Sequence, residues 1–128
     1  MSRAKGVRKP CDVRRGRRRL VDARQFMEAA ELLEAPDVVA TNAIQAAIAA
    51  SDAITCVALG ERSADGSHAA AVDLLRRVDP SLAAVLKRSL DRKTQAAYES
   101  EDISASVADS CVKWARKLLV AAEGRLES

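Results

Sequence analysis

The span Val38–Leu59 constrains this chain more than any other stretch. It is the most hydrophobic part of the sequence, yet its apolar residues are mostly small: Ala43, Ala46, Ala47, Ala49, Ala50 and Ala53, with Ser51 among them. Alanine is the strongest helix former because it gives up no side-chain freedom on entering a helix. A strand would draw on β-branched and aromatic residues instead. The span is therefore expected to form a helix from Asp37 or Val38 to Leu59, with Gly60 stopping it. Small residues on more than one side let neighbouring backbones approach closely, so this helix belongs at the centre of a bundle or between a bundle and a partner. Thr41, Asn42, Gln45, Ser51, Asp52 and Thr55 interrupt the apolar run, which favours a core helix over a membrane span.

The remaining sequence follows the same logic. Aromatic residues are only 2% of the chain (Phe26, Tyr98 and Trp114) within a hydrophobic content of 48%. Alanine, valine and leucine supply the apolar surface, which favours close-packed helices. A first helix is expected from about Arg18 to Leu33, with Leu20, Ala23, Phe26, Met27, Ala30 and Leu33 on one face and Pro36 ending it. A polar loop over 61–67 leads to a short third helix, His68 to Val78, with Ser67 as N-cap and Val72, Leu74 and Leu75 inward. Asp79-Pro80 stops that helix and starts a fourth, Pro80 to about Tyr98, whose expected core is Leu82, Val85, Leu86, Leu90 and Ala97. Ser104 caps a fifth, Ala105 to about Leu126, with Val107, Cys111, Trp114, Leu118, Ala121 and Ala122 on one side. The 128 residues thus read as one all-α domain, an up-and-down bundle of four to five helices.

Charge is distributed unevenly. The net charge is +3, but residues 1–19 hold nine cations against one anion, Asp12, for +8. The following 109 residues hold 12 cations and 17 anions, for −5. A flexible basic arm over 1–19 on an acidic body over 20–128 is the expected organisation. Such an arm binds nucleic acid by releasing counterions, or serves as a solubilising start. Cys11, Cys56 and Cys111 are odd in number, widely spaced and form no CxxC pair. Cys56 and Cys111 are expected as buried free thiols, and with no secretion signal they imply a reducing cytoplasm.

Polar chemistry concentrates in Gly60-Glu-Arg-Ser-Ala-Asp-Gly-Ser-His68, where the one histidine of the chain opens a helix six residues after Arg62. The positive end of a helix disfavours imidazolium, so His68 is expected neutral and able to accept a proton. Arg62 keeps its charge and offers a fork of donors shaped for phosphate. A base beside a fixed cation suits attack of an RNA 2′-hydroxyl on the adjacent phosphorus, with no cofactor or metal needed. Glu61 and Asp65 are near in sequence but match no metal-ligand spacing. Transesterification also benefits from an acid for the leaving oxygen, which one imidazole per chain does not supply. A two-fold dimer would bring a second His68 and Arg62 across the interface. Equally, a histidine opening a helix and an arginine in a polar loop are commonplace as solvated residues.

At these residues the chain resembles the HEPN superfamily, small helical domains found in prokaryotic toxins, nucleotide-handling systems and RNA-cleaving immunity proteins. Arg62-x5-His68 is similar to the family's arginine–histidine signature. Asn42-Ala-Ile-Gln-Ala-Ala-Ile-Ala-Ala-Ser-Asp-Ala-Ile54 and Leu90-Asp-Arg-Lys-Thr-Gln-Ala-Ala-Tyr98 resemble two helices of a small stand-alone branch. The resemblance covers roughly residues 20–124 and implies a two-fold dimer with paired arginines and histidines at a cleft. It implies a metal-independent endoribonuclease with Arg62 and His68 catalytic. Ser63 stands where the family often has Asn, Asp or His, which bears on catalysis more than on fold.

Other residues carry secondary expectations. Asn42, Ser51 and Asp52 form a candidate polar stripe beside RNA, or serve hydrogen bonding inside the bundle. Arg92 and Tyr98 are candidates for binding phosphate and stacking a base, or for tying the fourth helix to its neighbours. Trp114 is expected in the core, and Lys87, Arg88 and Lys93 on a solvated face. The expected function is a cytoplasmic homodimer that binds RNA or a nucleotide, as an endoribonuclease of toxin type. The alternative is a non-catalytic helical module that holds a partner protein such as an antitoxin or regulator.

Overall fold

The structure, a computed structural model, describes residues 8–64, 67–98 and 103–127, the side chains of 94–98 excepted. Its elements are β1 (Arg8–Pro10), α1 (Val13–Leu32), α2 (Pro36–Leu59), β2 (Glu61–Ser63), α3 (His68–Val78), α4 (Pro80–Tyr98) and α5 (Ala105–Leu126). The architecture is the all-α bundle anticipated from the sequence. A two-stranded antiparallel ribbon is added to it, with Arg8 opposite Ser63, Lys9 opposite Arg62 and Pro10 opposite Glu61.

α2 runs through the centre and packs most extensively against α1 and α5. Ala43, Ala46, Ala47, Ala49, Ala50, Ala53 and Ile54 are all sealed from solvent to within a few per cent. Its apolar stretch is long enough to cross a membrane, with mean hydropathy 1.4, but 67% of that stretch is buried inside the fold. Pro36 is the first residue of α2 and not the end of α1, because a proline loses nothing where the helical N–H has no partner. Gly60 ends α2 with φ 70°, and its N–H donates to the Cys56 carbonyl at 3.0 Å.

α1 begins at Val13, five residues before the start expected near Arg18. Asp12 accounts for the difference: its carboxylate accepts from the Arg15 N–H at 2.8 Å and caps the first turn. The buried stripe then runs Gly16, Leu20, Ala23, Met27, Ala30, at alternating spacings of four and three. The segment separated as a basic arm is thus, from Arg8 onward, strand and helix. Gly16 lies where α1 comes close against α2. A Cβ there would meet Val57 Cγ2 at 3.0 Å, Cys56 Cβ at 3.2 Å and the Ala53 carbonyl oxygen at 3.3 Å.

The cysteine expectation is corrected here. Cys11 and Cys56 form a disulfide across 45 residues of sequence, their Cα atoms 4.9 Å apart. The ribbon and the early start of α1 bring Cys11 beside the last turn of α2, a proximity invisible to sequence spacing. Cys111 is free and buried, as expected. With Cys56 paired, no free thiol at that position points to a reducing compartment.

The other helices follow their signals closely. Asp79 Oδ1 accepts from the Ser81 and Leu82 N–H groups and the Ser81 hydroxyl, turning α3 into α4. These bonds hold its carboxyl below the usual carboxylate range, the Ser81 hydroxyl contributing most. Ser104 caps α5 by accepting from the Val107 N–H at 3.2 Å. Leu82, Val85, Leu86 and Leu90 of α4 and Cys111, Ala115, Leu118 and Ala122 of α5 complete the core, with Trp114 half-buried against it. Leu33 at the end of α1 is 44% exposed, outside the face assigned to it.

Candidate functional site

A cavity of about 350 Å³ opens where α1, α2, β2, α3 and α4 converge. α2 supplies Gln45, Ile48 and Asp52, which lie three and four residues apart and so share one face. α1 contributes Arg19, β2 contributes Arg62, and α4 contributes Leu90 and Lys93. His68 stands at the first position of α3, on the cavity wall. Ser67 precedes it at the N-cap position, but its side chain makes no cap bond, so the hydroxyl role expected there is absent. The Ser67 carbonyl accepts the Ala71 N–H instead. Arg62 and His68, paired by sequence reasoning, therefore wall the same space.

Asp52 gives the site its deepest charge, at 4% exposure. A carboxylate so far from water requires a cation. Arg19 Nε donates to Asp52 Oδ2 at 3.2 Å, while Arg19 Nη1 reaches Asp22 Oδ2 at 3.0 Å. Two carboxylates from different helices thus fix one guanidinium at the cavity edge. The Thr55 hydroxyl donates to the Asp52 carbonyl at 3.3 Å and anchors the same turn.

Arg62 is placed by the ribbon. Lys9 lies opposite it, the Cys11 N–H donates to the Gly60 carbonyl at 2.8 Å, and the Arg8 guanidinium meets the Glu61 carboxylate at 3.3 Å. His68 titrates below the ordinary histidine value of 6.5, chiefly because burial disfavours the charged ring and secondly because Lys93 repels it. The imidazole is therefore neutral at pH 7 and can accept a proton. Among the described residues that line it, Arg19, Arg62 and Lys93 outnumber one carboxylate, Asp52, a balance suited to an anion. Ile48, Ala71 and Leu90 line an apolar wall beside these charges.

The other candidates fall in different places. Asn42 lies outside the cavity, where its amide donates to the Val38 carbonyl at 2.9 Å within α2. Ser51 is interior, 1% exposed. Arg92 is half-buried on α4 on the side of Cys111, whose thiol is pushed up by burial while the Arg92 charge acts the other way. The Tyr98 side chain and Asp65 lie outside the described residues. Lys87 pairs with Asp91 at 3.0 Å in solvent and Arg88 is exposed, as expected of a solvated face. Lys93 departs from that face and enters the cavity. The signal for it was its spacing of three from the core residue Leu90. Arg19 was missed because it sat within a run of charge, and its partner Asp52 is 33 residues away. Among the described residues no group of His, Cys, Asp and Glu could hold a metal ion. Compared with family models, curated proteins and solved structures, the chain matches none.

Proposed function

We propose that this is a HEPN-like protein that binds RNA, or a nucleotide, through a phosphate held in the Arg62–His68 cavity, and that it acts as a metal-independent endoribonuclease of toxin type. The observation that carries the reading is the convergence of Arg62 and a neutral His68 on one cavity. His68 takes the proton of the 2′-hydroxyl as that oxygen attacks phosphorus. Arg62 stabilises charge growing on the phosphoryl oxygens, with Arg19 and Lys93 adding to the field. The 5′-oxygen leaves with a proton, giving a 2′,3′-cyclic phosphate and a 5′-hydroxyl. That second proton is the reason for proposing a homodimer, in which the partner's imidazole serves as acid. Arg14, Arg15, Arg17 and Arg18, exposed on α1, add affinity for a polyanion without sequence preference. The proposal places the protein in the cytoplasm, where a disulfide forms only when the thiol balance turns oxidising. An antitoxin partner belongs to the same reading.

Incubation with single-stranded RNA in EDTA, beside His68→Ala and a 2′-deoxy substrate, tests the chemistry. Wild type should cleave the RNA, and His68→Ala should be slower by about 10²–10⁴-fold, the usual contribution of a general base. The deoxy strand should survive. Equal behaviour of all three sinks the nuclease. If RNA binding persists without cleavage, and expression harms no cell, the non-catalytic interaction module takes its place.

A further inference from the structure

We infer that Cys11 and Cys56 act as positioning residues for Arg62, so that reducing their disulfide releases the cavity's arginine. The inference rests on the phosphate-site reading for its functional consequence, but not for the movement itself. β2 is three residues long, and among the described residues its strand neighbour is β1, itself three residues long. An isolated pair of strands so short is marginal in water. Beyond its own pairing with β2, three links among the described residues hold β1 in place: the disulfide, the Cys11 N–H bond to the Gly60 carbonyl, and the Arg8–Glu61 ion pair. The ion pair is about one-third exposed on both sides and contributes little. The disulfide is the covalent link, and it joins the end of β1 to the last turn of α2, four residues before Gly60.

The helices on either side do not need this link. Asp12 caps α1 after the bonded cysteine, and Gly60 terminates α2 after the other. Reduction therefore frees β1 without unwinding either helix. Arg62 then loses the strand opposite it, which sets its backbone beside the cavity, and a ligand must supply the ordering that the ribbon provided. Cys11 and Cys56 are 6% and 2% exposed, so reductant enters when β1 opens. The chemistry is thiol–disulfide exchange. A dithiol thiolate attacks one sulfur to give a mixed disulfide, and its second thiolate closes on the first. The reagent leaves as a cyclic disulfide and the protein keeps two thiols, two electrons and two protons having passed to it.

Three measurements on the full chain test this. Alkylation and mass analysis should find one thiol after denaturing the oxidised protein, Cys111, and three after dithiothreitol. Amide hydrogen exchange over residues 61–64 should quicken by about tenfold on reduction, and equally in Cys11→Ser, while α2 and α5 hold their protection. Binding of a labelled single-stranded RNA should weaken roughly tenfold on reduction in the wild type, but change little in Arg62→Ala, whose arginine is already gone. Unaltered exchange over 61–64, or an equal loss of binding in Arg62→Ala, overturns the inference. Faster exchange over 61–64 with no RNA binding by either form supports the positioning role and removes the phosphate reading instead.

Discussion

The α1–α2–α5 half of the molecule and the half containing the ribbon, α3 and the cavity are built on opposite principles. In the first, small residues let three helices pack against one another around a buried alanine-rich centre, and the ion pairs Arg24–Glu123 and Arg116–Glu31 border it. In the second, charged groups are drawn inward and held by partners distant in sequence: Asp52 by Arg19, Arg62 by β1, and β1 by Cys56. The first half is stabilised by burial, although α1 and α2 also carry Arg19 and Asp52 at the edge of the cavity. The second converges on a space of about 350 Å³ that keeps its polar groups facing it. Stability and chemistry are thus separated along the bundle, and mutations in the two halves should fail in different ways.

The largest effect belongs to the core. Leu118→Ala, at a site with no exposure, should cost about 2–5 kcal/mol by removing buried contacts and leaving a cavity. Urea unfolding measures this, and the His68 environment, followed by its NMR resonances under native conditions, should stay as it was. A change of both together would break the separation. Gly16→Val should be next, at about 1–3 kcal/mol, because the new side chain meets Val57, Cys56 and the Ala53 backbone inside ordinary contact distance. A neutral result there would mean that α1 can move off α2 without loss. Lys93→Gln should be the smallest in stability, within about 0.5 kcal/mol. Its effect is on titration: with the Lys93 charge removed, the His68 pKa should rise toward 6.5, part of the lowering by burial remaining. If His68 is the base, the acid limb of the cleavage profile moves up in pH by the same amount, because activity requires the neutral ring. An unmoved NMR titration of the ring would refute the charge effect.

The sequence was most readable where structure is local. α3 ends and α4 begins at Asp79-Pro80, and α5 begins after Ser104, because caps and prolines act within a turn; α3 begins at His68 without the Ser67 side-chain cap. The alanine pattern announced the central helix. Arg62 and His68 were legible as a pair because six residues across one loop cannot separate far. α1 was read short because charge over 14–19 obscured the Asp12 cap and the glycine that continues its buried stripe. The ribbon, the disulfide and the Arg19–Asp52 pair were not legible. Each joins segments 33 to 55 residues apart, and no period or local propensity records such a meeting.

One feature of α1 reaches beyond the bundle. Five of its first seven residues are arginine, and the Asp12 carboxylate at the N-cap is the one acid set against them at the helix start. Among the described residues Arg18 and Arg19 pair with Asp22, and Arg19 also with Asp52. A disordered tail would let its charges drift to suit whatever polyanion arrived. A helix instead spaces them on a rigid spine rising about 1.5 Å per residue, so a bound strand must conform to the protein's own ruler.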